Sequence, residues 1–407
     1  MSNSRTYLVG GAVRDALLGL QVAERDWVVV GSTPAEMLRH GYRQVGASFP
    51  VFLHPQSGDE YALARTERKQ GHGYHGFTVD FHSAVTLEED LKRRDLTINA
   101  MAEDEDGQLI DPYGGEKDLQ QRILRHVSDA FIEDPLRVLR VARFAARFEP
   151  LGFRVHPSTL ELMQEIARSG ELQYLAPERT WREIESAMRT EKPSEFVRVL
   201  RDCGALEVLL PEVNKLFGVP QPAKYHPEID TGVHLLMALD SAAKLDPGAA
   251  HVVFAVLVHD LGKGLTQEKY LPSHRGHEAA GVPLVDEVCK RLRVPNAVQD
   301  LARKVCARHL DCHRILEARP RTVLRLLERL DVFRQPNLLA DFITACQADF
   351  QGRKGLQDRP YPQGAYLQRA YEAVADIRAR DLDLDGVSGR QVGEVLRRAR
   401  IEALSAI

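Results

Sequence analysis

Apolar and polar positions along the first 112 residues predict short strands that alternate with short helices. The runs TYLV (6–9) and DWVVV (26–30) are apolar and rich in β-branched or aromatic residues, which favours strands. Between them, AVRDALLG (12–19) has the spacing of an amphipathic helix. This part of the chain is therefore predicted to form a small α/β unit.

Three further runs in the same region have strand-like patterning: YRQVG (42–46), PVFLH (50–54) and EYALAR (60–65). The glycine- and histidine-rich KQGHGYHG (69–76) is typical of a mobile loop. The next segment, LEEDLKRRDLTINAMA (87–102), is predicted to be one helix.

DPYGG (111–115) marks a boundary, after which the pattern is helical almost to the C-terminus. The clearest helical runs are DPLRVLRVARFAARF (134–148), RTWREIESAM (179–188), HVVFAVLVHDLG (251–262) and PRTVLRLLERL (320–330). A proline-rich segment at 218–227 marks a second boundary. The predicted fold class is α+β, with a small α/β head followed by a mostly α-helical body. The predicted domains are 1–112, 113–225, 226–332 and 333–407.

Composition limits the location and the partners of the protein. The formal net charge of the 407 residues is −4, so a nucleic-acid partner has to bind a local basic patch. The candidate patch is arginine-rich and comprises Arg122, Arg125, Arg137, Arg140, Arg143, Arg147 and Arg154. Five dispersed cysteines without CxxC spacing predict a reducing compartment. No run has the length of a membrane span and the start lacks a leader pattern, so we expect a cytoplasmic protein without a membrane partner.

Gly10 and Gly11 follow the first predicted strand and precede a helix. Two glycines let the backbone approach a ligand closely, and the N–H groups at a helix start attract phosphate. Arg14 falls on the first helical turn, where its guanidinium could bind the same phosphates. The segment is neither a GxGxxG motif nor a P-loop, and a tight structural turn is the alternative.

Glu24 and Asp26 are two positions apart at the start of the second predicted strand. Side chains alternate across a strand, so the two carboxylates are expected on one side. Such a pair beside a triphosphate suits two Mg²⁺ ions, one for the attacking hydroxyl and one for the leaving pyrophosphate. The pair and the glycine turn together predict nucleotidyl transfer, whereas the pair alone is also typical of a solvated strand edge.

Four blocks carry a resemblance to a known family: residues 10–31, 64–69, 93–100 and 133–148. They read GGAVRDALLGLQVAERDWVVVG, ARTERK, RRDLTINA and EDPLRVLRVARFAARF. In these blocks the chain resembles the class II tRNA nucleotidyltransferases of the polymerase β superfamily, which add CCA to tRNA 3′ ends. The resemblance implies a nucleotidyltransferase head, a helical neck that contacts tRNA, and CTP and ATP as nucleotides.

The resemblance also implies roles for individual residues. Arg94 and Asp95 match positions that contact the incoming nucleotide, and Gly11 and Arg14 of the glycine turn are expected to bind it as well. Asp134 and Arg137 match an amino-acid template, in which a carboxylate and a guanidinium read the base edge and reject guanine and uracil. They are three residues apart on a predicted helix, which makes them neighbours.

Arg140 and Arg143 continue this helix at the same spacing and would bind the nucleotide's phosphates. An arginine-rich amphipathic helix is the alternative for this segment. The family pattern at the acidic pair is Asp-x-Asp, so Glu24 departs from it, and we expect a working but slowed site.

A second candidate site lies in the predicted domain at 226–332. Adjacent His259 and Asp260 end an apolar helix, and burying such a pair is costly unless something pairs with it. With His234 and Asp349 they form the H…HD…D pattern of the HD phosphohydrolase superfamily. Imidazole and carboxylate ligands suit Ni²⁺ or another transition metal.

His277 and His309 could line the pocket of this site, and Lys263 could bind phosphate. The resemblance implies phosphatase, 2′-nucleotidase and 2′,3′-cyclic phosphodiesterase activities. The alternatives are a hydrogen-bonded His-Asp pair or an HD domain kept for structure.

Two other functions remain open for the whole chain. A poly(A) polymerase would share the head and the template helix, but such relatives usually carry a basic C-terminal extension and no intact HD set. A tRNA-binding module with a spent active site would fit the departure at Glu24. The quaternary state is expected to be a monomer or a homodimer.

Overall fold

The structure, a computed structural model, describes residues 4–45, 51–69, 77–80, 82–384 and 387–407. The chain separates into two compact units. The first contains Met1–Glu183 and Arg198–Leu209, and the second contains Ile184–Val197 and Leu210–Ile407. The glycine- and histidine-rich loop predicted at 69–76 lies outside the described residues from 70 onward.

The strands of the first unit are short. They are β1 (Arg5–Val9), β2 (Asp26–Val30), β3 (Arg43–Val45), β4 (Val51–Leu53), β5 (Glu60–Leu63), β6 (Thr66–Lys69), β7 (Phe77–Asp80), β8 (Ala102–Glu103), β9 (Leu109–Ile110), β10 (Ile123–Leu124) and β11 (Arg154–Val155). Among the described residues, seven of them form a mixed sheet in the order β3-β4-β5-β2-β1-β8-β9. Strands β6 and β7 pair with each other, as do β10 and β11.

The centre of the sheet determines where the glycine turn lies. Strands β1 and β2 are antiparallel, with Val9 opposite Asp26. The turn that follows Val9 therefore lies beside the carboxylate that begins β2. Strand β5 runs parallel to β2 and places Glu60 opposite Asp26. Tyr7, Val9 and Val28 are buried in the core beneath the sheet.

The helices of the first unit mostly follow the sheet in sequence. They are α1 (Gly11–Leu17), α2 (Pro34–Arg39), α3 (Leu87–Lys92), α4 (Gly115–Gln121), α5 (Leu136–Phe148), α6 (Pro157–Ser169) and α9 (Ala205–Leu209). Two more, α7 (Pro177–Met188) and α8 (Pro193–Asp202), have residues in both units. Helices were correctly predicted over most of 12–19, 134–148 and 179–188.

The prediction of one helix over 87–102 is wrong. Helix α3 ends at Lys92, a 3₁₀ turn covers Thr97–Asn99, and β8 begins at Ala102. Short polar side chains compete with the helical backbone here. The Asp95 carboxylate accepts a hydrogen bond from the backbone N–H of Leu96 at 2.8 Å, and the N–H of Thr97 bonds to the distant Arg125 carbonyl.

The second unit is helical. Its helices are α10 (Pro211–Asn214), α11 (Thr231–Leu245), α12 (Ala250–Val258), α13 (His277–Leu292), α14 (Asn296–His313), α15 (Pro320–Arg329), α16 (Asn337–Gln351), α17 (Pro362–Ala375) and α18 (Arg390–Leu404). Helix α12 is apolar apart from His251 and is packed among α11, α14 and α16, as expected for a central helix.

The α+β fold class is confirmed, with a mixed-sheet head and a mostly helical body. Helix α12 ends at Val258, so His259 and Asp260 lie directly beyond it and not within the helix predicted over 251–262. In the part of the chain that the structure describes, no helix has both the length and the apolar composition to cross a membrane.

Candidate functional site

The glycine turn after β1 holds an arginine close to the backbone. Gly10 has φ +70°, a conformation that L side chains rarely adopt. A Cβ atom at this position would lie 2.7 Å from Nη1 of Arg94. Glycine is therefore needed here both for the backbone conformation and for the approach of Arg94. Arg94 in turn pairs with the fully buried Asp90 at 3.2 Å.

Arg14 of α1 is a buried and firmly held guanidinium. Its Nε donates to Oδ1 of Asp15 at 2.8 Å, and Nη1 donates to Oδ1 of Asn99. Its guanidinium lies 5.2 and 5.0 Å from the ring centroids of Phe144 and Phe148. Burial lowers the pKa of Arg14, while Asp15 raises it. A group held in this way is preorganised for an anion.

Glu24 and Asp26 are exposed and line the same cavity as Arg14. Asp26 begins β2, but Glu24 lies before the strand, so the predicted alternation along one strand does not set its direction. Desolvation by the surrounding cavity wall raises the pKa of Asp26, Arg94 lowers it, and the negative charge of Glu24 raises it. These two carboxylates repel each other and offer hard oxygen ligands, and both properties favour binding of Mg²⁺.

The cavity formed by these elements has a volume of about 690 Å³. Its described lining is rich in arginine: Arg14, Arg65, Arg93, Arg94, Arg137, Arg140, Arg143, Arg147 and Arg179. The lining includes fewer carboxylates, namely Glu24, Asp26, Glu60, Asp95 and Asp134. The excess of guanidinium groups favours a polyanionic ligand such as a nucleoside triphosphate.

Part of this positive charge is paired within the protein. Arg140 Nε donates to Oδ2 of Asp95 at 2.7 Å, and Arg143 Nε donates to Glu183. Burial alone would raise the pKa of Asp95, but Arg140 and Asn99 hold it well below its usual range. Asp95 is therefore an anion that fixes Arg140 at the cavity wall.

Asp134 and Arg137 both reach the cavity wall, although not as two residues of one helix. Helix α5 begins at Leu136, and Asp134 lies before it, where its Oδ1 accepts from the Leu136 N–H at 3.1 Å. Arg137 is buried, and its Nη1 and Nη2 donate to the carbonyls of Ala130 and Arg93. These contacts fix the guanidinium in place.

In the second unit, the four predicted HD residues come together although they are far apart in sequence. Nε2 of His234 on α11 lies 2.9 Å from Oδ1 of Asp349 on α16. Nε2 of His259 lies 3.8 Å from the same oxygen and 3.1 Å from Oδ2 of Asp260. All four residues are at most 3 % exposed.

The orientation of His259 fits a metal ligand. Its Nδ1 lies 2.7 Å from the Val256 carbonyl, which can only accept a hydrogen bond, so the ring proton is on Nδ1 and the lone pair on Nε2. Nε2 has no hydrogen bond of normal geometry within the described residues, and neither does either Asp260 oxygen. Buried polar atoms normally have hydrogen-bond partners, and a cation bound between these atoms would satisfy them instead.

The charges in this cluster are strongly coupled. Burial would raise the pKa of Asp260 and Asp349, but neighbouring histidines and cationic side chains hold both well below the usual range. Burial would lower the pKa of His259, and Asp260 raises it. The Lys263 ammonium lies 2.6 Å from Oδ2 of Asp260 and donates to Gln221 at 3.0 Å, so it is already paired.

The sequence pattern missed several residues that support this cluster. The side chain of Glu228 is buried, with Oε1 at 3.1 Å from Nδ1 of His234 and 3.0 Å from Nδ1 of His226. Nε2 of His313 lies 2.6 Å from Oδ2 of Asp349. The spacing of His309 and His313, one helical turn apart, was a usable signal for α14. Nothing in the sequence around Glu228 indicated its contact.

Comparisons with known proteins match three parts of the chain to family models. Residues 6–125 match the poly A polymerase head domain. Residues 152–217 match the probable RNA and SrmB-binding site of polymerase A, and residues 231–334 match the HD domain.

The chain is 59% identical over 403 residues to the multifunctional CCA protein of Thioalkalivibrio sulfidiphilus, which covers 99% of this chain and 98% of that one. Its fold is similar to the Bacillus stearothermophilus CCA-adding enzyme in complex with CTP, with a TM-score of 0.66, 24% identity, and coverage of 99% and 89%. It is also similar to the Thermotoga maritima CCA-adding enzyme complexed with tRNA, with a TM-score of 0.61, 21% identity, and coverage of 100% and 88%.

Proposed function

The chain belongs to the multifunctional CCA protein family and is a CCA-adding nucleotidyltransferase with an HD domain, and we propose which residues carry its two activities. The arginine-lined cavity of the first unit adds CCA to the 3′ end of tRNA, with CTP and ATP as substrates. The buried histidine–aspartate cluster of the second unit hydrolyses phosphate esters.

The observation that supports the first assignment most strongly is the convergence of guanidinium groups on the same cavity as Glu24 and Asp26. Arg14 and Arg94 bind the triphosphate, with Gly10 and Gly11 leaving room beside it. The two carboxylates hold Mg²⁺, which would favour deprotonation of the 3′ hydroxyl and neutralise the leaving pyrophosphate. Because Arg14 and Arg94 are held by other side chains, they bind phosphate without a large loss of side-chain entropy.

Base selection is assigned to Asp134 and Arg137. The carboxylate accepts from an exocyclic amine, and the remaining guanidinium N–H groups donate to ring acceptors, which together favour cytosine and adenine. Contacts to Ala130 and Arg93 fix the position of Arg137, as a protein template requires. Arg140 and Arg143, anchored by Asp95 and Glu183, contribute charge for the phosphates.

The HD cluster is assigned to metal-dependent phosphohydrolysis, including phosphatase, 2′-nucleotidase and 2′,3′-cyclic phosphodiesterase activities. His234, His259, Asp260 and Asp349 hold Ni²⁺ or another transition metal, which would activate water and polarise the phosphoryl group. Lys263 partly neutralises Asp260 and orients it toward the histidines.

Two substitutions in the full-length chain test whether the activities are separate. Asp26→Asn is expected to abolish nucleotide addition to tRNA and leave Ni²⁺-dependent phosphatase activity unchanged, because it removes a carboxylate only from the head cavity. His259→Ala is expected to do the reverse. Loss of both activities from either variant, with its fold intact by circular dichroism, would contradict the assignment.

A further inference from the structure

Helix α15 of the second unit carries a row of arginines on its exposed face. Arg321, Arg325 and Arg329 follow one another at intervals of four residues, and all three are exposed. Residues at this spacing are neighbours on a helix surface, about 6 Å apart along the axis. Four apolar side chains of the same helix are buried instead: Val323, Leu324, Leu326 and Leu327. The helix therefore separates an apolar face from a strongly basic one.

The arginine row borders a groove on the second unit. A cavity of about 410 Å³ is lined by Arg325 and Arg329 of α15 and by Arg314, which directly follows α14. The buried side chains of Ile315 and Leu326 also line this cavity. Three guanidinium groups from two elements thus surround one concave surface, and with Arg321, which continues the row, it is named the α15 groove.

Little of the positive charge of the α15 groove is neutralised by the protein. None of its four arginines forms an ion pair with a residue that the structure describes. Arg325 donates a long hydrogen bond of 3.4 Å to Oγ1 of Thr322. Asp311 and Glu317 line the groove as well, but Asp311 is already paired with Arg308 at 3.4 Å. The groove thus has an excess of positive charge in a chain whose formal net charge is −4.

Helix stability does not account for the arginine row. Like charges four residues apart repel each other and destabilise a helix. A cation in the first helical turn is also unfavourable, because the N–H groups there are partly positive. Arg321 lies in that turn, which contains no acidic residue. Glu328 of the same helix pairs with Arg397 of α18 at 2.9 Å and not with the row. A polyanionic ligand would compensate for this repulsion.

We propose that the α15 groove binds the phosphodiester backbone of the tRNA substrate. Phosphates repeat regularly along a polynucleotide, so a regular row of guanidinium groups can contact several of them in succession. The groove lies outside residues 152–217, which match the RNA-binding family model. The proposal rests on tRNA being the substrate, as proposed above, and adds an RNA-contacting surface within the second unit.

The proposed contacts have a measurable electrostatic signature. A protein that neutralises phosphates releases counterions, so each contact contributes roughly 0.7–0.9 to the slope of log Kd against log salt concentration. Loss of the contacts made by Arg325 and Arg329 should lower this slope by about 1.5. Backbone contacts carry no sequence information, so the affinity should fall to the same extent for different tRNA species.

The experiment measures filter binding of a tRNA transcript that ends at its discriminator base to full-length variants. Arg325→Glu combined with Arg329→Glu should raise Kd about tenfold or more at about 0.1 M salt. The matched control is Arg359→Glu combined with Arg369→Glu, which makes the same change in net charge at exposed positions of the second unit outside the groove. The control should keep the Kd within about threefold of the parent and leave the salt slope unchanged.

Two further measurements separate binding from folding. Ni²⁺-dependent hydrolysis of p-nitrophenyl phosphate should be the same in the groove variant and the parent, because this small ester does not need the groove. The neutral pair Arg325→Gln and Arg329→Gln should raise Kd less than the glutamate pair but lower the salt slope in the same way. This pair keeps the test decisive if the glutamate pair folds poorly.

A groove variant with the same Kd and salt slope as the control would overturn the proposal and leave CCA addition standing. Unchanged tRNA binding together with weaker binding of inorganic pyrophosphate, measured by calorimetry, would assign the groove to a small anion and also overturn the proposal. A parent protein that binds tRNA through the groove but incorporates no CTP would contradict the proposed CCA-adding function and support the groove.

Discussion

Glu228 is expected to control the metal affinity of the HD cluster without touching the metal. Its Oε1 lies 3.1 Å from Nδ1 of His234, whose opposite nitrogen faces Asp349, and 3.0 Å from Nδ1 of His226. Its Oε2 accepts from the Lys354 N–H at 3.2 Å. A buried carboxylate behind a ligand histidine fixes the ring and increases its basicity. We therefore treat Glu228 as a positioning residue.

Glu228→Gln keeps the shape of the side chain and removes its charge. Charged polar contacts contribute more than neutral ones by about 1–1.5 kcal/mol, so loss of the charge beside Nδ1 of His234 is expected to cost a similar amount. That corresponds to roughly a tenfold weaker binding of metal. The value lies at the lower end of the roughly 10- to 100-fold range typical of residues behind metal-bound histidines.

The assay is competition for Ni²⁺ between the full-length protein and a chromophoric chelator at pH 7. The matched control is Glu372→Gln on α17, because Glu372 is exposed and bonds only to Gln368 among the contacts described for its side chain. The control should leave the dissociation constant unchanged, and both variants should keep CCA addition. A dissociation constant for Glu228→Gln within twofold of the parent would refute the reasoning.

Three further predictions concern the first unit. Glu24→Asp should add CCA at least as fast as the parent, because Glu24 extends its carboxylate about 1.5 Å further than the family aspartate. Misplacement by about 1 Å can cost roughly a hundredfold in rate. A sharp loss of kcat would contradict this reasoning and show that the backbone has adapted to Glu24. Gly10→Ala should lower kcat/KM for CTP about tenfold or more by displacing Arg94, whereas Gly19→Ala, at φ +68° with open space around it, should not. Asp95→Asn should lower the free energy of unfolding at pH 7 by about 2 kcal/mol because it removes the charge-assisted hydrogen bond from the partly exposed Arg140 to the buried Asp95.

The pH dependence of the Asp95 effect has a definite sign. The pKa of Asp95 is lowered in the folded state, so its contribution to stability is complete above the unfolded pKa of about 4 and is lost as the pH falls below it. The difference between the parent and Asp95→Asn should therefore narrow in acid. Both tryptophans, Trp27 and Trp181, are in the first unit, so their fluorescence during urea unfolding reports on this unit. A difference that widens in acid would contradict the assignment.

Hydrophobic periodicity correctly predicted elements whose apolar residues are buried in a core. The apolar strand at 26–30 and the apolar part of the helix predicted over 251–262 were correct because each is buried in a core. It failed over 87–102, where the side chain of Asp95 and the backbone of Thr97 bond to groups outside any helix. Local hydrogen bonds of this kind do not appear in a hydrophobic pattern.

The sequence predicted which residue types belong to each candidate site, but not the distances and contacts between them. His234 and Asp349 are 115 residues apart, and only the HD pattern linked them. The same long separation hid the contact between Glu228 and Lys354. In the head, Arg14 was expected to bind phosphate, but the aromatic rings of Phe144 and Phe148 that hold it come from a distant helix. The ligand roles of the individual residues stay predictions.

The most direct test of the account is the product formed on a tRNA that ends at its discriminator base. The purified full-length protein, given Mg²⁺, CTP and ATP, should extend this tRNA by C, C and A and then stop, as read by gel electrophoresis and sequencing of the 3′ end. Long A tails would identify a poly(A) polymerase instead, and no incorporation would identify a binding module. Either of these results would contradict the assignment of the arginine-lined cavity to CCA addition.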